Sequence, residues 1–266
     1  MTTTVIKPIE TEVEFFEILI KSPNDKRIAH YLKTFQVEAQ TFNDYLKAYL
    51  PTLLAPRKKF ITFYNTDQII KASLALLCSK SDKFNLAFNP TFCHTLYDST
   101  NSMLVGCDKH ILAAVDSTYY WEQKEQKELI TIDKLGNLIS YIDGKEFSKY
   151  PDYLQIIPTL SEEFKEFILE DQVINNIFYI AKLGKICKLE GLYIKIGACH
   201  FNVYMLSRLI TFVLGVPGVN KFALNIHAEN GGKIAFYHSD TVKLSYLIMP
   251  VINSSNQKCI ELCDLI

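Results

Sequence analysis

The stretch Cys199–Val251 limits what this chain can fold into more than any other part of it. An apolar stripe at helical spacing covers His200–Val216 and gives way to three alternating segments, the last being Leu244-Ser-Tyr-Leu-Ile-Met-Pro-Val251. A repeat of about 3.6 residues followed by one of about 2 predicts an amphipathic helix feeding an antiparallel sheet. An α-then-βββ unit of this kind places the chain in the α+β class.

Upstream, residues 10–50 carry Ile28, Tyr31, Leu32, Phe35, Phe42, Tyr45, Leu46 and Tyr49 at three- and four-residue steps. With Pro23-Asn24 and Pro51 as breaks, this spacing predicts two helices. Pro56-Arg57-Lys58-Lys59 reads as a linker. Phe60–Tyr64 reads as a strand, and Asn65-Thr66-Asp67 would cap a helix over Gln68–Cys78. Residues 84–97, 102–116 and 128–143 set β-branched and aromatic side chains between Asn, Asp and Gly, as short antiparallel strands do. Asp171–Lys182 is a second helix of the C-terminal half, Leu189–Gly197 a strand, and Gly231-Gly232 a hairpin turn.

With 266 residues and 48% apolar content, the chain can build two cores. Its net charge of −1 is spread evenly: seven basic and seven acidic groups over 1–57, eleven and twelve over 58–161, ten and ten over 162–266. That balance excludes a strongly cationic nucleic-acid binder. Seven cysteines, 78, 93, 107, 187, 199, 259 and 263, are an odd number without a C-x-x-C pair. They are expected to be reduced, small core residues. Met1–Pro8 lacks a basic start before an apolar block, and no apolar run approaches the roughly 18–20 residues that span a bilayer. A soluble cytoplasmic protein with no membrane partner is expected.

Four short motifs follow one another along the chain. Gly106-Cys-Asp-Lys-His-Ile-Leu-Ala113 is similar to a T-D-G-H-R-L-A segment, keeping Asp108, His110, Leu112 and Ala113 but placing Cys107, Lys109 and Ile111 where Thr, Gly and Arg stand. Tyr150-Pro-Asp-Tyr-Leu-Gln-Ile-Ile-Pro158 matches G-R-F-P-D-Y-R-R-V-x-P at Pro151, Asp152, Tyr153 and Pro158. Phe201-Asn-Val-Tyr-Met-Leu-Ser-Arg-Leu209 looks like F-N-x-x-Y-L-x-x-x-L, and Tyr246-Leu-Ile-Met-Pro-Val251 like Y-x-x-M-P-M. In this order and near this spacing they resemble the bacterial DNA polymerase sliding clamp (beta clamp) family, in a divergent form that a phage or mobile element could carry. The match covers residues 84–251, with a shortened region over 117–142.

The resemblance implies DNA-clamp domains with helices on one face of antiparallel sheets: a helical N-terminal extension (1–57), a reduced clamp-like domain (58–161), a clamp-like domain (162–251) and a C-terminal tail (252–266). It implies a polymerase processivity factor that encircles duplex DNA, tethers replication proteins through their short linear peptides, catalyses nothing and needs no cofactor or metal. It further implies a location in the cytoplasm of a bacterial cell or phage-infected host. A ring of six domains would take three copies of a two-domain chain, a homo-oligomer that cyclic symmetry permits. The partner-peptide pocket would draw on Cys107, His110, Leu112 and Pro158 from one domain and Leu247, Met249, Pro250 and Val251 from the other. Lys71, Lys80, Lys182, Lys185 and Arg208 would face DNA phosphates, although solvated helix positions look the same in sequence. The tail Gln257-Lys-Cys-Ile-Glu-Leu-Cys-Asp-Leu-Ile266 resembles the peptides that clamp partners insert; a terminal helix or free end is the competing reading.

Two other classes stay open. One is a clamp-fold protein-interaction module that forms no ring. The other is a cysteine hydrolase built from Cys199, His227 and Asp240, with Cys199 at a helix start where a thiol can be activated; a packed structural cysteine competes with it. Asp108 and Asp116 could pair as metal-holding carboxylates, or simply finish strands. His94, His110, His200, His227 and His238 are scattered, and Cys259-x-x-x-Cys263 has no second pair.

Overall fold

A computed structural model describes residues 8–49, 95–98, 100–116, 128–132, 138–142, 152–189, 191–216, 218–227, 234–251 and 260–261. The expected linker at 56–59, the strand 60–64, the helix 68–78 with Lys71 and Lys80, and the turn at Gly231-Gly232 lie outside them.

The chain begins with α1 (Glu12–Lys21), α2 (Lys26–Thr34) and α3 (Ala39–Tyr49). The Thr11 side chain accepts from the Glu14 N–H, and Asp25 from the Arg27 N–H, so each cap satisfies a donor that its first turn leaves open. Two helices were expected here and three form. The chain breaks at Phe35, which is extended at φ −123°, yet its ring stacks on Tyr31 at 4.8 Å and continues the apolar stripe through the break.

A nine-stranded antiparallel sheet follows, in the order β5-β4-β1-β2-β3-β11-β10-β9-β6. Its first half is β1 (Thr95–Asp98), β2 (Met103–Cys107), β3 (Ile111–Asp116), β4 (Glu128–Ile132) and β5 (Leu138–Ile142). After a helical turn, α4 (Tyr153–Ile156), come β6 (Phe164–Leu169) and α5 (Asp171–Ile186). Next are β7 (Tyr193–Ile196), β8 (Cys199–Asn202), α6 (Val203–Gly215), β9 (Phe222–His227), β10 (Ala235–Ser239) and β11 (Leu244–Ile248). Strands from either side of residue 161 thus share one sheet, joined where β3 pairs with β11.

Both faces of that junction are buried. On one face Leu104, Ile111, Ala113, Val115, Leu244, Tyr246 and Ile248 join the main core, which also holds α5, α6 and the N-terminal helices. On the other, Val105, Cys107, Leu112, Ala114, Phe236 and Leu247 form a smaller cluster. The alternation follows the two-residue repeat of a strand and explains why 111–115 is an unbroken apolar run. Tyr246 ties the sheet together: its hydroxyl donates to the Ala223 carbonyl at 2.7 Å and accepts from the Ala223 N–H at 3.3 Å. Its ring stacks between Phe222 and Tyr237, and burial raises its phenol pKa.

The helix expected from His200 starts three residues later. Cys199, His200 and Phe201 belong to β8, and Asn202 is the cap, accepting from the N–H groups of Tyr204 at 3.0 Å and Met205 at 3.2 Å. The tail also differs from expectation. Ile260–Glu261 forms β12, parallel to β7, and with β8 makes a three-stranded sheet in which Ile260 is fully buried. No helix among the described residues is long and apolar enough to cross a membrane.

Candidate functional site

The turn between β2 and β3 is built by Asp108. Its Oδ1 accepts from the N–H groups of His110 at 3.1 Å and Ile111 at 3.0 Å, while its Oδ2 meets Arg208 Nη1 of α6 at 2.7 Å. This nearly buried carboxylate therefore shapes the hairpin and fastens it to a helix that lies far away in sequence. Lys109 takes the left-handed conformation, φ 78°, where a glycine would be unstrained. Lys109→Gly is expected to raise stability by about 0.5–1 kcal/mol, read as a higher urea midpoint at unchanged slope.

The pairing of β3 with β11 sets some of the residues expected on opposite sides of a pocket beside one another. Leu112 lies opposite Leu247 and Ile111 opposite Ile248, and the Met249 N–H donates to the His110 carbonyl at 2.8 Å. Cys107, Leu112 and Leu247 are buried in the smaller cluster with Tyr153, ringed by Met103, Ile156, Ile157, Phe164 and Ile234. His110 and Met249 are exposed beside it, Met249 at 40%. Pro158 and Pro250 are half-buried. Val251 turns away from the sheet junction, its N–H donating to the His200 carbonyl of β8 at 2.7 Å. Three of the eight expected residues are thus buried in this cluster, and His110 and Met249 are exposed beside it.

A hydrogen-bonded group that the sequence did not foreshadow fixes Tyr153 in this cluster. The Tyr153 hydroxyl donates to Asp98 Oδ2 at 3.0 Å, and Asn101 Nδ2 donates to the same oxygen at 2.8 Å. Asp98 is fully buried. Burial, and then the Asp98 charge, raise the Tyr153 phenol pKa, so it stays a donor at any physiological pH. Tyr153 stands within a recognised motif, but nothing in the sequence marked Asp98 as its partner.

The residues expected to face phosphates divide. Lys182 and Lys185 are exposed on α5, with Lys185 Nζ 5.9 Å from the centre of the Tyr204 ring. Arg208 is committed to Asp108. Lys71 and Lys80 lie outside the described residues.

The hydrolase arrangement does not assemble. Cys199 is a buried strand residue rather than a helix-start thiol, and burial pushes its pKa up to about 11. His227 Nε2 is 3.5 Å from Glu163, and Asp240 pairs with His238 at 2.9 Å, so base and acid are engaged elsewhere. Burial lifts the Cys187 thiol too, to about 12. Both thiols favour the fold while neutral below pH ~9, and that contribution is lost as pH rises through 11 to 12. Iodoacetamide at pH 8 is expected to leave peptides containing Cys187 and Cys199 unmodified until urea is added, as read by mass spectrometry.

Asp108 and Asp116 do not pair with one another. Asp116 meets Lys243 at 3.1 Å and Asp108 meets Arg208. Among the described residues no group of three His, Cys, Asp or Glu side chains could hold a metal ion. His238 links Ser245 Oγ at 2.6 Å to Asp240 at 2.9 Å, another chain not foreseen. Ser245 is buried mid-strand and the Asp240 side chain is 96% exposed, so this chain ties β10 to β11 without a dry pocket around the acid.

No protein family matches the chain, and no curated protein matches it. Similar solved structures are DNA polymerase sliding clamps. A Pseudomonas aeruginosa clamp with ligand is 14% identical over 70% of this chain and 65% of its own, with a TM-score of 0.44. A Thermotoga maritima DNA polymerase III beta subunit is 13% identical over 75% and 70%, also at 0.44. The Helicobacter pylori beta clamp bound to a DNA ligase peptide is 17% identical over 71% and 64%, at 0.43. This chain spans 65% of the Pseudomonas clamp, under two thirds of its length.

Proposed function

We propose that this chain is a sliding-clamp-like processivity factor, with clamp-like domains over 58–161 and 162–251, that holds replication proteins through a short peptide bound beside the β3–β11 junction. The carrying observation is the register of that junction. It puts Leu112 against Leu247 and joins His110 to Met249, and this meeting of two motifs from distant parts of the chain supports a single site. An exposed, adaptable methionine and a polar imidazole beside a buried apolar cluster support a docking place for a peptide with aliphatic or aromatic anchors. Rings of three copies around duplex DNA follow from the same reading, with Lys182 and Lys185 toward phosphates.

The decisive experiment is fluorescence anisotropy of a labelled Gln/Leu/Phe-type clamp-binding peptide. Binding that Met249→Ala and His110→Ala weaken, with thermal stability unchanged, supports the pocket; equal affinity for all three proteins overturns it. A non-ring interaction module is the second reading, favoured by Arg208, whose charge Asp108 already neutralises. Light scattering separates the two, since a discrete closed oligomer supports a ring and a monomer at all concentrations supports the module.

A further inference from the structure

The C-terminal tail, whose sequence resembles an inserted peptide, pairs through its described residues with β7 rather than with β3 or β11. Ile260 lies opposite Ile194 and Glu261 opposite Lys195, at one edge of the three-stranded sheet. At the other edge of that sheet the Val251 N–H donates to the His200 carbonyl of β8. The chain therefore passes from one edge to the other between Val251 and Ile260. Three strand spacings separate the two, about 14 Å, and the eight residues 252–259 are long enough to cover that distance with length to spare.

Without β12, β7 is an edge strand, Tyr193-Ile-Lys-Ile196, with an open row of main-chain donors and acceptors. Ile260 is fully buried and belongs to the main core, as Ile194 does, so its loss also bares apolar surface beside that row. The edge of the large sheet is protected in another way: β6 carries Lys165 and Glu166, both exposed, which discourage pairing with a second chain. β7 has a single charged residue, Lys195, between two buried isoleucines, and beyond it the tail.

We propose that residues 260–261 are an edge guard: docked on β7 of their own chain, they keep that strand from pairing antiparallel with β7 of a second copy. Two β7 edges related by a two-fold axis are self-complementary, so that pairing closes at two copies. Tethering decides which partner wins. A two-residue strand binds weakly by itself, but attachment to the same chain gives it an effective concentration of about a millimolar, roughly a thousand times that of a second copy at micromolar concentration. The guard holds while Ile260 fits its place and fails when it does not. Neither a bound peptide nor DNA is needed for this role.

The test is the mass of the full chain by sedimentation equilibrium over a wide range of concentration, with hydrogen exchange as a second reading. Ile260→Asp sets a charge in the buried place of Ile260 and so undocks β12. This variant is expected to reach twice the mass of the unaltered chain at high concentration, while the unaltered chain keeps one mass over the same range. Ile260→Ala is the milder change, which keeps the fold should the charge disrupt it. It is expected to speed amide exchange in residues 193–196 in dilute solution, and the exchange is expected to slow again as the concentration rises. Equal masses for Ile260→Asp and the unaltered chain, with exchange in Ile260→Ala the same at every concentration, overturn the guard. A mass that climbs without limit overturns it too, because edges paired about a two-fold axis stop at two copies.

Discussion

Asp98→Ala is expected to destabilise the protein by about 3 kcal/mol, more than most single changes in the smaller cluster. Asp98 is fully buried and accepts from the Tyr153 hydroxyl and from Asn101. Alanine leaves the buried Tyr153 hydroxyl without that acceptor, which costs more than the bond itself contributes, while the exposed Asn101 can turn to solvent. Asp98→Asn keeps one acceptor oxygen and is expected to cost about half as much. Tyr153→Phe removes a donor but leaves the ring among Leu96, Val105 and Leu247, so about 1–2 kcal/mol is expected. Urea unfolding of the three variants checks the order. Equal losses for Asp98→Ala and Asp98→Asn would mean that the carboxylate charge matters rather than its acceptors. Because Tyr153 anchors α4, these variants are also expected to loosen Ile156 and Ile157, which pack against the same cluster.

Gly184→Val is expected to cost about 3 kcal/mol, and Gly184→Ala less. Gly184 sits on α5 where it meets α6, and a side chain there would overlap the Leu192 δ-methyl and the Tyr204 hydroxyl. Leu192 is fully buried, and the Tyr204 hydroxyl donates to the Leu189 carbonyl, so neither neighbour can move without loss. Alanine regains about 1 kcal/mol of helix propensity, which offsets part of the clash; valine adds bulk without that gain. Thermal denaturation distinguishes the two. A melting temperature unchanged in Gly184→Val would mean that α5 and α6 can separate freely at this crossing.

Elements with a strong repeat were legible in the sequence. The stripe over 171–182 became α5, which runs on to Ile186, and the alternation from 222 to 248 became β9, β10 and β11. Elements without one were missed. β6, Phe-Lys-Glu-Phe-Ile-Leu, puts charged and apolar residues on both faces because it is an edge strand, with Ile168 half exposed. β12 is two residues long, too short for any periodicity, and depends entirely on its partner β7. The start of α6 could have been read better, since Asn202 is a strong cap residue and His200 is not. Of the residues that the short motifs nominated, Leu112 and Leu247 face one another across β3 and β11, and Met249 follows directly after β11. The contacts that shape this region, Asp98 with Tyr153 and Asp108 with Arg208, lie 55 and 100 positions apart, and no local pattern encodes such pairs.

The β3–β11 junction also fixes when this protein can finish folding. β3 leaves the ribosome early, but the strand that covers its edge is the last of the large sheet, with α5, α6 and every strand from β4 to β10 synthesised in between. Until β11 arrives, the apolar edge of β3 stays open, a template for pairing with another nascent chain. Contacts this distant in sequence also slow the final step, since the loop they close must be ordered first. Yield in cells should therefore depend on how long that edge waits: slower translation between β4 and β11 lengthens the exposure, and a chaperone that shields β3 shortens it.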